Sequence, residues 1–258
     1  MESKKKMLIL GNVITVFATI IVNALANILP IGGNYTGDIS DNIPNLFVPA
    51  GLTFAIWGVI YVLILLLAGY QLAQLFGKLD AKSDYLDKIS FWFILGAIGN
   101  IVWIFLWHYE RIILSMIPIL VLFISLLMAY VRLDIGNSDA SKKERLFVHL
   151  PISVYFGWLT VAVIANVTAM LVTLGVGDLF LGEVVWTVLV IVVAMIITLL
   201  VIYQKSDVGY SLVILWALLG IIIKQYGSYQ MIVITAGVAA AIIAVFLLYQ
   251  IVQRKQLV

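Results

Sequence analysis

The chain contains no cysteine. That excludes disulfides, thiolate nucleophiles and cysteine-ligated metals or clusters. Histidine is nearly as scarce, with only His108 and His149. One falls in a short hairpin and the other at the start of an apolar run, on opposite faces of a membrane, so they cannot share a metal. No Ser–His–acid or paired-carboxylate arrangement is visible, and hydrolytic catalysis is not expected. Charge is thin as well: 11% of residues are Asp, Glu, Lys or Arg, against roughly 25% in a soluble domain. The thirteen acids all fall in loops or at the ends of apolar runs. Pumps and ion-coupled carriers commonly keep an ionisable group near the midplane. None is found there, which argues against that class, although backbone carbonyls at broken helices can substitute.

Apolar sequence fills the rest. Hydrophobic residues make up 64% of the 258 and the mean hydropathy is +1.16, so this is an integral membrane protein. A spanning helix needs about 20 apolar residues. Eight such segments can be read, at about 7–29, 49–76, 89–107, 111–131, 147–174, 183–203, 209–224 and 230–252. The fold class expected is all-α, a polytopic bundle of about eight transmembrane helices.

The basic residues orient it. With the N-terminus inside, thirteen of fifteen fall on the inner side: Lys4, Lys5, Lys6, Lys78, Lys82, Lys88, Arg132, Lys142, Lys143, Arg145, Lys205, Arg254 and Lys255. Only Arg111 and Lys224 fall outside. Cytoplasmic loops are enriched in Lys and Arg, so both termini are expected in the cytoplasm, with the plasma membrane as the expected location. Ala24-Leu25-Ala26 after the first apolar run resembles a secretory cleavage site. The run is long for a signal core, and an uncleaved first helix is expected.

The longest loop, residues 30–48, has two prolines and sits outside. It reads either as a lid over the bundle or as a solvated connector. "NYT" at Asn34 fits a glycosylation sequon of little weight. "GVGDLF", beginning at Gly175, is too short for a nucleotide loop. Nothing suggests a nucleic-acid partner, and no cofactor is expected.

What polarity remains inside the apolar runs is neutral. Phe54, Trp57 and Tyr61 follow Pro49 at spacings of three and four. Asn100, Trp103 and Trp107 sit at offsets 0, 3 and 7, and Tyr155, Trp158, Ala162 and Asn166 at 0, 3, 7 and 11. Such offsets keep one helix face. Asn23 and Asn27 share a face of the first run. An asparagine in hydrocarbon must find a partner, so these faces turn toward other helices or a cavity. Trp57 lies about 12 Å past Pro49, deeper than the interfacial belt. Trp92 and Trp186 fit that belt, and Trp216 has no evident role. The aromatic faces read either as helix-packing seams or as the walls of a ligand pocket. Ala236, Ala240 and Ala244, beside Gly237 and Ala241, read as a plain seam of small residues.

Three segments, "PAGLTFAIWGVIY", "NIVWIFLW" and "YFGWLTVAVIAN", resemble the second, third and fifth helices of the TspO/MBR family, the tryptophan-rich sensory and translocator proteins. Their order and spacing agree over about residues 7–174. The resemblance implies a five-helix bundle over 1–175, followed by three additional helices over 176–258. It implies a pocket near the first long loop for a hydrophobic planar ligand such as a porphyrin, and membrane lipid around it. A homodimer is implied too, since several relatives form one. Carried over by position, Trp57, Tyr61, Asn100, Trp103, Tyr155, Trp158, Ala162 and Asn166 become ligand-binding candidates. Phe54 and Trp107 join them from the same faces.

The departures bear on the ligand. The family usually ends after five helices. Its sterol pattern is missing, because residues 167–202 hold no Tyr, Lys or Arg. No histidine lies at pocket depth to ligate haem iron, so a metal-free tetrapyrrole fits better. The rival readings are a permease component that moves a lipophilic solute with all eight helices, and a non-transporting subunit of a membrane complex. Porphyrin-modifying activity has no support beyond the resemblance, and the chain is not expected to be an enzyme.

Overall fold

A computed structural model describes residues 3–78, 84–176 and 181–256. Lys82 and residues 177–180 of the stretch after Gly175 lie outside the described residues, as do the side chains of Arg254 and Lys255.

The chain is 82% helical and has no strands among the described residues. In order the helices are α1 (Ser3–Ile28), α2 (Thr36–Asn42), α3 (Ile56–Leu75), α4 (Tyr85–Ile89), α5 (Trp92–His108), α6 (Ile112–Leu133), α7 (Lys142–Glu144), α8 (Leu150–Thr173), α9 (Glu183–Lys205), α10 (Val208–Gln225) and α11 (Gln230–Gln256). A 3₁₀ turn, Gly51–Ala55, leads into α3, and a π turn, Arg145–His149, joins α7 to α8. Every expected span is helical. Seven helices are long and apolar enough to cross a membrane. The remaining expected span, α5, has 17 residues, about 25 Å at 1.5 Å per residue, a little under the hydrocarbon thickness. We call the side on which α1 begins the near side.

By contact the chain divides into two compact units. Unit 1 is Met1–Ile39 with Trp57–Phe156, and unit 2 is Ser40–Ile56 with Gly157–Val258. The boundary expected at 175 follows chain order and resemblance, whereas contact divides α8 and assigns an early segment, 40–56, to the late helices.

In unit 1, glycines bring α5 against α6. A Cβ at Gly99 would sit 2.8 Å from the Pro118 carbonyl oxygen and 3.1 Å from the Leu122 nitrogen. α1 buries one stripe: Ile9, Asn12, Val16, Thr19, Asn23 and Ala26. α3 buries Ile60, Ile64, Leu67, Ala68, Gln71 and Gln74, a face beside its aromatic stripe rather than on it. At the near side α4 ties the two together. Lys5 pairs with Asp87 at 3.1 Å, and the Tyr85 hydroxyl donates to Gln74 Oε1.

In unit 2, Gly157 lets α8 approach α10, where an added Cβ would stand 3.2 Å from the Tyr210 backbone. The seam of α11 differs from the small-residue row expected. Its buried stripe runs Ile232, Ala236, Ala239, Ile243 and Leu247, while Ala240 and Ala244 are half-buried and Ala241 is exposed. Large residues interleave with small ones because the stripe follows helical spacings of three and four rather than fours alone.

Candidate ligand-binding clusters

The residues singled out in the sequence divide between the units: Trp57, Tyr61, Asn100, Trp103, Trp107 and Tyr155 in unit 1, and Phe54, Trp158, Ala162 and Asn166 in unit 2.

Unit 1 holds an aromatic group on a chain of carboxamides. Trp57 stacks on Tyr61, with centroids 5.8 Å apart and planes at 25°. This is the four-residue spacing on α3 acting as expected. Trp57 also meets Tyr155 edge-on at 5.9 Å. Tyr155 is buried, and its hydroxyl oxygen accepts from Asn100 Nδ2 at 3.0 Å. Asn100 Oδ1 accepts from Asn23 Nδ2 at 2.6 Å, and that nitrogen also donates to the Thr19 carbonyl at 2.8 Å. Asn27 continues the line by donating to the Asn23 carbonyl. Asn23 of α1 and Asn100 of α5 thus satisfy each other across the two helices. Trp103 stacks on Trp107 at 5.3 Å. The buried Trp107 donates from its indole nitrogen to the Thr36 carbonyl at 3.3 Å.

Unit 2 holds a smaller group. Phe54 meets the buried Trp158 edge-on, at 5.8 Å and 84°. Asn166 is buried on the same helix, and Ala162 is half-buried.

The first long loop is pinned along its length. In unit 1, Asn34 donates to Glu110 Oε1 at 2.9 Å, and Thr36 Oγ1 lies 3.1 Å from His108 Nε2. Gly32 has φ +65°, and a Cβ there would strike the His108 carbonyl oxygen. In unit 2, Asn45 donates to the Ala165 carbonyl at 3.1 Å, and the Leu46 carbonyl accepts from Gln225 at 2.8 Å. The Ala50 amide donates to the Gly220 carbonyl at 3.0 Å, and Trp216 donates to the Thr53 carbonyl at 2.9 Å. Trp216, which the sequence left without a role, is an anchor for this segment. Bonding this dense is not that of a solvated connector.

Both histidines are buried. His108 Nδ1 lies 2.8 Å from the Ile104 carbonyl, so its ring folds back along α5. His149 closes the π turn, 3.8 Å from the buried Glu144 carboxylate. Nearby, burial first, and then the neighbouring Tyr70 and Glu144, push the Tyr85 phenol well above its ordinary range. This near-side group was not foreseen. Its one legible signal was the close spacing of Gln71 and Gln74 at a span end.

A small cavity beside Tyr155 has a volume of about 10 Å³, between Val16, Thr19, Ile64, Phe93, Leu122 and Tyr155. That is room for about one water. An open apolar groove of about 360 Å³ runs between α9 and α11 along Ile196, Leu200, Tyr203 and Phe246.

A family model described as TSPO-like protein matches residues 8–249. The match takes in the helices through most of α11. No curated protein and no solved structure matches the chain.

Proposed function

The chain is a multi-pass integral membrane protein of the TSPO-like family, and from that premise we propose that it binds a hydrophobic planar ligand, such as a metal-free tetrapyrrole, in order to sense or carry it. The observation that carries this reading is the arrangement of Trp57, Tyr61 and Tyr155 on the Asn100–Asn23 relay. Trp57 and Tyr61 are half-buried, so their rings are not consumed by the core. Indole and phenol faces stack on flat conjugated rings, and each such contact is worth roughly 0.5–1.5 kcal/mol beyond area burial. The carboxamides hold Tyr155 at a fixed rotamer, which keeps the aromatic wall in place. Phe54 and Trp158 supply a second aromatic pair of the same kind. No ionised side chain joins either aromatic group among the described contacts, in keeping with an uncharged, apolar guest.

The test is titration of the detergent-solubilised protein with a metal-free porphyrin, read by tryptophan quenching. Trp57→Phe and Trp158→Phe should each weaken binding about tenfold, near 1.4 kcal/mol, while Trp186→Phe leaves it unchanged. If both substitutions preserve affinity and quenching, the reading fails.

A second reading, a permease component for a lipophilic solute, draws support from the family match, which continues through α9 and α10 into α11. Porphyrin accumulation in proteoliposomes would favour it, whereas binding without accumulation would favour a sensor.

A further inference from the structure

Among the buried polar side chains of unit 1 without a hydrogen-bond partner are Asn12 and Gln71, at both amide atoms, and Thr19 and Ser125, at their hydroxyls. Their exposures are 1%, 0%, 3% and 1%, so neither lipid headgroups nor a second copy of the chain can reach them. A buried polar group without a partner is costly, and native interiors satisfy about nine in ten of them, with ordered water where side chains fall short.

The four are not scattered. Thr19 lines the small cavity, together with Ile64 of α3 and Tyr155 of α8. Ser125 of α6 packs against α5, its Cβ 3.2 Å from where a Cβ of Gly96, a residue of the cavity wall, would stand. Asn12 precedes Thr19 by seven residues on α1, and Gln71 follows Ile64 by seven on the antiparallel α3. Seven residues make two turns on one face, a descent of about 10.5 Å. Asn12 and Gln71 therefore stand at one depth, below the cavity and toward the near side. Tyr155 begins the line. Its oxygen accepts from Asn100, which leaves its own proton to donate.

We propose that unit 1 holds a file of buried water that starts between Tyr155 and Thr19 and descends to Asn12 and Gln71. The cavity volume, about 10 Å³, matches a single water, and a buried water requires two to four polar partners. The hydroxyls of Tyr155 and Thr19 provide two at the upper position. At the lower position the two carboxamides provide two donor and two acceptor groups. All are uncharged, so the file holds neutral water rather than an ion. It gives the near half of unit 1 a wet interior that the apolar sequence of α1 and α3 conceals.

The experiment is X-ray radiolytic footprinting of the unaltered full chain in lipid nanodiscs. Radicals formed from bound water label side chains within a few ångströms. Tyr155 and Phe93 border the upper position, yet are only 4% and 5% exposed. Their labelling should be at least fivefold faster than that of Tyr210, which is fully buried in unit 2. In Thr19→Val the labelling of Tyr155 should fall at least threefold. Labelling of Tyr155 and Phe93 no faster than Tyr210 in the unaltered chain would overturn the proposal. So would undiminished labelling of Tyr155 in a folded Thr19→Val protein.

Discussion

At the scale of single residues, Asn100 has the most at stake. It accepts from Asn23 and donates to Tyr155 with no exposure to solvent. Asn100→Leu keeps the volume but strands a donor on one helix and a hydroxyl on another. Losing both partners should cost about 2–4 kcal/mol, seen as a lower thermal midpoint in detergent. Asn34→Ala, which removes an exposed bond to Glu110 and a long 3.4 Å bond to the His108 carbonyl, should change it by less than about 1 kcal/mol. The sequence made Asn100 legible because a carboxamide in an apolar run must face inward. It could not name the partner, since Asn23 and Asn100 lie 77 positions apart. The same limit hid Trp216. Its indole bonds a backbone carbonyl 163 positions away, and no side-chain pattern marks a carbonyl.

Elements were legible where hydropathy is sustained and less so where a local backbone feature decides. All eight apolar runs are helices. The turns at 145–149 were not foreseen as π. Pro151 has no N–H to donate to residue 147, so the α pattern is already interrupted at that point. Aromatic spacing on α3 placed Trp57 and Tyr61 on one stripe correctly, but the helix buries a neighbouring face. Hydrophobicity around α3 is too uniform for sequence to choose between faces. Glycine shows how context separates identical residues. Gly99→Ala would push a Cβ into the Pro118 carbonyl of α6 and should destabilise by about 1–3 kcal/mol. Gly69→Ala on α3 meets nothing within 4 Å and should be neutral, or stabilising by up to about 1 kcal/mol through helix propensity. Denaturation of the two variants in one detergent compares them directly.

For the molecule as a whole, composition alone declared a membrane bundle. The thirteen-to-two split of basic residues predicts that reporters fused to the two ends both face the cytoplasm. Protease protection in sealed vesicles checks this, and opposite accessibility of the ends would refute it. What composition could not declare is that the units are discontinuous. Residues 40–56 belong to unit 2 with residues 157–258, through bonds from Asn45, Ala50 and Thr53 to α8 and α10. That pairing is non-local and partly between backbone atoms, so no run or motif records it. It also has a temporal side. The Ala50 amide leaves the ribosome about 170 residues ahead of the Gly220 carbonyl that receives it. At roughly 5–20 residues per second the delay is on the order of ten to thirty seconds. Throughout that interval the nascent segment has no α10 to bind, so its last anchors form only when translation is nearly finished.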